Sequence, residues 1–183
     1  LRILATAAAL LLLTGCGQEV AAPSPSSANA FGGTDLAWIE VTLALNEQLV
    51  PLLDAIPQHT STPAVTDLAA RVRTFTEAEL PTLRALHDRA GLPADNPHVG
   101  MPMPGMVTAT ELAAMTKLSG TDFDTAAVHQ LRESVEQGMT LARGEQEHGA
   151  DQETRDLAGA VLRARAPLVV DGSAASRYGS RRS

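Results

Sequence analysis

Two stretches of the 183-residue chain bring together side chains that could do chemistry. The first is His98-Val99-Gly100-Met101-Pro102-Met103-Pro104-Gly105-Met106, one imidazole and three thioethers in a single short segment. Thioether sulfur is a soft donor suited to Cu(I) or Ag(I). The prolines and glycines keep the segment out of a helix, so the sulfurs are free to converge on one ion. The bland use of the same residues is packing, because methionine fills irregular gaps at the end of a helical bundle. The second stretch, Glu145-Gln146-Glu147-His148, has the Glu-x-x-His spacing of di-iron carboxylate bundles, where residues three apart share a helix face. It falls at a helix end, however, and no inward glutamate is evident on the other helices. His59 and His148 read as helix-end residues that bond free carbonyls and suit the negative end of the dipole, or as a loose two-histidine surface site. No Gly-x-Ser-x-Gly elbow, phosphate-binding glycine loop, His-Glu-x-x-His or paired cysteine is present, so no catalytic residue is assigned and a non-catalytic role is expected.

The elements that must position these groups are helices. Apolar residues recur at three and four positions and no stretch alternates as a strand, which predicts an all-α fold. A first helix, 35–56, carries Leu36, Ile39, Leu43, Leu49, Val50, Leu53 and Ile56 on one stripe, with Pro51 inside it and Pro57 ending it. A second, 63–90, has Thr62 as N-cap, Pro63 at its first position and Gly91 as its stop. Pro81 should bend it. A short third helix opens on the capping box Thr108-Ala109-Thr110-Glu111 and ends near Ser119-Gly120. The fourth, from Thr121 to about Gly149, buries Phe123, Ala127, Leu131, Val135, Gly138 and Ala142, and Asp151 caps a fifth that ends near Val170. His129 should be solvated, and His87 suits the last turn of the second helix.

The chain also repeats. When it is slid along itself by 89 positions, Glu47-Gln48 falls on Glu136-Gln137, His59 on His148, Thr62 on Asp151, Asp67-Leu68-Ala69 on Asp156-Leu157-Ala158, and Asp35 on Asp124. Two amphipathic hairpins, 34–91 and 121–170, joined by a linker with a short helix over 92–120, bury their stripes most simply as a four-helix bundle.

What flanks this body concerns location. Cys16, the only cysteine, follows the apolar run Ile3–Leu13, too short for a spanning helix and suited to a secretory signal. Leu13-Thr14-Gly15-Cys16 resembles the lipobox of bacterial lipoproteins, which implies a signal peptide over 1–15, diacylglyceryl attachment at Cys16 and residence on the outer face of the cytoplasmic membrane. Residues 16–33, rich in Ala, Ser, Pro and Gly, form a tether reaching about 20 to 25 Å, and 171–183 reads as a disordered tail. A net charge of -7 and only 3% aromatic residues leave no basic track or stacking platform, so nucleic acid is not an expected partner. The expected partners are the membrane, through the anchor, and an unidentified envelope protein.

Met103-Pro104-Gly105-Met106-Val107-Thr108, then Glu111-Leu112, then Ser119-Gly120-Thr121-Asp122-Phe123-Asp124 resemble the centre of the exported family called domain of unknown function 305. The resemblance implies a ferritin-like bundle of two related hairpins, often associated with copper, with adjacent histidines on the first helix of each hairpin followed by an acidic residue. Glu47 and Glu136 stand at the acidic positions, but Leu45-Asn46 and Ser134-Val135 replace both histidine pairs. Leucine and valine offer no lone pair, and neutral asparagine or serine is a poor transition-metal ligand beside imidazole. Asn46 and Ser134 are therefore expected to pair with backbone, water or each other inside the bundle. The expected function is a binding or scaffolding module with a degenerate metal site and no cofactor, the alternative being a Cu(I) or Ag(I) protein that uses His98, Met101, Met103 and Met106.

Overall fold

The computed structural model describes residues 31–179, and Cys16, the signal run and most of the tether lie outside them. Five helices follow in order: α1 Gly33–His59, α2 Pro63–Ala90, α3 Ala109–Met115, α4 Gly120–His148 and α5 Gln152–Gly179. The apolar stripes read from the 3.6-residue period close on one another. Leu49, Leu53 and Ile56 of α1 meet Val72 and Phe75 of α2 and Phe123, Leu131 and Val135 of α4 in the larger part of the core. Toward the other end, Trp38, Ile39 and Leu43 meet Leu83 and Leu86 and, across the bundle, Ala142, Ala158 and Val161. By length and composition α1 could span a bilayer, yet most of its apolar window is buried against the other helices.

The internal repeat is exact in the helix bounds of the second helices: the shift that superposes Glu47 on Glu136 carries Pro63–Ala90 onto Gln152–Gly179. The extension of α5 corrects the expected end near Val170. Ser173-Ala174-Ala175-Ser176 holds no proline, and the helix bounds follow those of its partner hairpin. α1 likewise runs through Pro57 to His59. Proline there removes a single amide so close to the C-terminus that one hydrogen bond is lost, and His59 Nδ1, 3.0 Å from the Ala55 carbonyl, ties down the last turn. α3 is shorter than expected, stopping at Met115, although its Thr108–Glu111 capping box forms as read.

Both Asp35 and Asp124 sit at the start of the first helix of a hairpin, and each reaches the turn of the other hairpin. Asp35 accepts the Ala150 and Asp151 amides at 3.0 Å. Asp124 accepts the Thr62 hydroxyl at 2.6 Å. Thr62, expected to cap α2 with its side chain, spends its hydroxyl on this cross-hairpin bond instead. Asp151 does cap α5, accepting the Thr154 amide at 2.8 Å.

The linker over 92–108 enters the bundle at Gly105, whose φ of 77° lies in the left-handed region and whose ideal Cβ would stand 2.8 Å from Gln137 Cβ and 2.9 Å from the Glu133 carbonyl oxygen. Gly105→Ala is expected to lower unfolding free energy by about 2 kcal/mol or more, through backbone strain and overpacking together. Gly100, at φ 78° with open space beside it, isolates the strain, so Gly100→Ala should cost about 1 kcal/mol. Urea unfolding of the two variants checks the difference; equal losses would contradict the close approach at Gly105.

Candidate functional site

The polar groups of the bundle interior converge on one cluster. Asn46 comes from α1, Glu79 from α2 and Arg165 from α5, all buried on the faces that point into the core. Arg165, 1% exposed, donates from Nη1 to Glu79 Oε1 at 2.6 Å and from Nη2 to Glu79 Oε2 at 3.0 Å, a bidentate fork. Asn46 Nδ2 donates to Glu79 Oε2 at 2.9 Å, and its Oδ1 lies 3.4 Å from Arg165 Nη2. The guanidinium lies 4.4 Å from the centre of the Phe75 ring. α4 contributes an absence of side chain: a Cβ on Gly138 would stand 2.9 Å from Arg165 Nε, so glycine is what admits the guanidinium. The ion pair is internally neutral and stays within the bundle.

The four positions expected to be degenerate divide around this cluster. Leu45 and Val135 are buried apolar residues. Ser134 donates to the Gly105 carbonyl at 2.5 Å, a backbone partner of the kind expected. Asn46 departs from expectation, because its partners are two charged side chains. The expectation that no glutamate points inward is also corrected by Glu79. Neither charge was legible as a core residue, since Arg and Glu at helical positions ordinarily face water. The one sequence signal was Gly138 on the apolar stripe of α4, a gap that needs a large neighbour.

The methionine loop divides as well. Met106 is 2% exposed and packs with Ala44 and Leu45, and Met103 leans on the same group. Met101 is 45% exposed. Two of the three sulfurs are thus used in packing above Leu45. His98 lies beside α1, its Nε2 3.9 Å from Glu40 Oε2 and its Nδ1 buried without a partner. His59 stacks on Phe123 at 5.0 Å, whereas His148 is exposed at the far end of α4. Phe123 and His148 are about 37 Å apart along that helix, so the two histidines form no joint site. His129 is exposed as expected, and His87 is buried.

Glu145, the acid of the Glu-x-x-His motif, is buried against Asp35. Burial raises its pKa to about 8, and the hydrogen bond and charge of Asp35 push in the same direction. Burial also opposes ionisation of Asp35, but hydrogen bonds from Glu145 and from the Asp151, Gly32 and Ala150 amides outweigh it and hold Asp35 below the ordinary carboxylate value. At neutral pH the pair holds one proton, on Glu145. Among the described residues no group of three or more His, Cys, Asp or Glu side chains is placed to hold a metal ion.

The model of the family described as "Domain of unknown function (DUF305)" matches residues 35–167. The chain belongs to this family. The fold is shared with a putative secreted DUF305 protein from Streptomyces coelicolor, 20% identical over 74% of this chain and 86% of that one, with a TM-score of 0.63. It is shared too with a DUF305 fragment from Deinococcus radiodurans, 15% identical over 78% and 96% of the two chains, with a TM-score of 0.68. No curated protein matches the chain.

In this DUF305 chain Leu45, Asn46, Ser134 and Val135, the positions where the resemblance implies histidine pairs, do not fit a transition metal. Leu45 and Val135 offer no donor, Ser134 is committed to Gly105, and Asn46 is committed to Glu79 beside a resident guanidinium. Breaking that pair from one side is expected to be costly: Glu79→Leu leaves Arg165 buried and unpaired and should lose about 3 to 5 kcal/mol, while Glu79→Leu with Arg165→Met should regain most of it. Denaturant unfolding of the single and double variants checks the sign of the coupling.

The Asp35–Glu145 pair gives a pH dependence. The folded state holds the Glu145 proton up to about pH 8, while the unfolded chain releases it near the ordinary value of 4.5. Its stabilising contribution is therefore complete below the unfolded value and is lost as pH rises toward 8. Urea midpoints should fall over that window with a slope approaching about 1.4 kcal/mol per pH unit, and Glu145→Gln should remove the slope. Asp35 acts in the opposite sense, its contribution being lost only as pH falls below 3.8 and through its lowered folded value.

Proposed function

We propose that this DUF305 protein is an exported, lipid-anchored bundle that acts at the outer face of the cytoplasmic membrane as a non-catalytic binding or scaffolding module. The observation that carries the non-catalytic reading is the mutual pairing at its polar core: Asn46, Glu79 and Arg165 bond one another deep in the bundle. The anchor rests on the lipobox-like Leu13–Cys16 after the apolar run, and export also agrees with the description of the Streptomyces coelicolor relative as a putative secreted protein. Two acyl chains or more hold a protein durably at a bilayer where one does not. The module's partner is an envelope protein captured within reach of the tether.

A Cu(I) or Ag(I) role for His98, Met101, Met103 and Met106 is the rival reading, and one observation favours it: the buried Nδ1 of His98 lacks a hydrogen-bond partner.

Cell fractionation after replacing Cys16 with serine tests the anchor, with the chain expected to leave the membrane fraction. Anaerobic Cu(I) titration of the mature chain against a competing chelator separates the two readings. The expected result is no stoichiometric uptake that depends on the loop sulfurs; tight binding abolished by joint Met101→Leu, Met103→Leu and Met106→Leu substitution would establish the rival.

A further inference from the structure

His59 meets two carbonyl oxygens at once. Its Nδ1 lies 3.0 Å from the Ala55 oxygen, one turn back in α1, and its Nε2 lies 3.2 Å from the Thr116 oxygen at the end of α3. A carbonyl oxygen can only accept, so each contact needs an N–H on the ring. The neutral imidazole has one N–H, and the imidazolium has two. In the neutral ring, whichever tautomer is chosen, one nitrogen lone pair is turned on a carbonyl lone pair. Two other features of the position suit a positive ring. It stands at the C-terminal ends of both α1 and α3, the negative ends of their dipoles. Its face stacks on Phe123 of α4, with centroids 5.0 Å apart and planes 21° from parallel.

The charged groups on the surrounding elements are engaged elsewhere or face water. Asp54 of α1 pairs with Arg73 of α2 at 2.6 Å. Asp67 of α2, Lys117 after α3 and Asp122 in the first turn of α4 are exposed. Asp124, next to Phe123, is held below the ordinary carboxylate value by the Thr60 and Thr62 hydroxyls, so its charge does not change between pH 5.5 and pH 8. The element that depends on the ring is α3. Its seven residues are too few to stand as a helix in water without tertiary contacts. Leu112 and Met115 dock it on the core that holds Phe123, and the bond between His59 and Thr116 ties its end to α1.

We propose that His59 is a proton-operated latch on α3. The imidazolium donates to Ala55 and Thr116 together and holds α3 closed over the end of the bundle. The neutral ring keeps the shorter bond within its own helix and releases the Thr116 end. The stabilising contribution is therefore present when the ring is charged and is lost as pH rises through the imidazole range, around 6.5. α3 then opens more often and uncovers Leu112 and Met115.

Hydrogen exchange of the mature chain carrying Cys16→Ser tests the latch. Glu145→Gln is included throughout, which removes the separate pH slope of the Asp35 and Glu145 pair. Protection of the Ala109–Met115 amides, corrected for the pH dependence of intrinsic exchange, should fall about tenfold from pH 5.5 to pH 8 as one charge-assisted bond is lost. His59→Gln, whose carboxamide donates without titrating, should abolish that fall. The ring itself can be read without a variant at His59. At pH 5.5 both of its N–H protons should appear in nitrogen-15 correlation spectra, shielded from exchange by the two carbonyls, unlike those of the exposed His129 and His148. A level pH profile with His59 present, the same fall in His59→Gln, or a His59 ring with a single observable N–H at pH 5.5 would overturn the proposal.

Discussion

The bundle is organised around a charge that cannot leave. Arg165 carries a guanidinium into a place where all four long helices meet, and Glu79 and Asn46 hold it there while Gly138 gives it room. Desolvating two ions offsets much of their attraction, so such a pair adds little net stability but strongly penalises any arrangement that separates its members. Its effect is on register. Arg165 belongs to the second hairpin, and its partners belong to the first. A slide of one hairpin past the other by a single turn would strand both charges in an apolar core, which the leucines and valines around them could not prevent by themselves.

Around that fixed point the molecule reads as a duplication whose copies were kept at the ends and altered in the middle. The aspartates at the starts of α1 and α4 each clasp the turn of the opposite hairpin, so the hairpins are buckled at both ends by equivalent carboxylates that meet different partners. In the interior the equivalence is gone. Asn46 corresponds to Val135, Glu79 to Leu168 and Arg165 to Thr76, so each member of the cluster stands opposite an uncharged position in the other hairpin. The linker then seats Met106 against Leu45 and closes the core there.

Most of this architecture was legible in the sequence because it depends on periodic and local signals. The apolar stripes, the Thr108–Glu111 box, the Pro63 start, the Gly91 stop and the 89-residue repeat each follow from the chemistry of a few neighbouring positions. The site was less legible because it depends on which surfaces meet. Glu79 and Arg165 look like solvated helix residues until the stripes of three helices are closed around them, and Glu145 reads as a metal ligand until Asp35 is brought to it from 110 positions away. Helix ends failed for a different reason. Pro57 reads as a stop, although a proline in a last turn removes only one bond.

The two aspartate clasps look redundant, but they stand under unequal physical pressure. Asp124 works at an exposed turn through threonine hydroxyls, where water can replace any bond that is lost. Asp35 works beneath the surface against three backbone amides and a second carboxyl, where nothing can. A duplicated interaction of this kind leaves one copy free to drift while the other is held. Variation among relatives should therefore be asymmetric, with the start of α4 tolerating what the start of α1 does not, and the two halves of an originally symmetric molecule losing their likeness first from the exposed end.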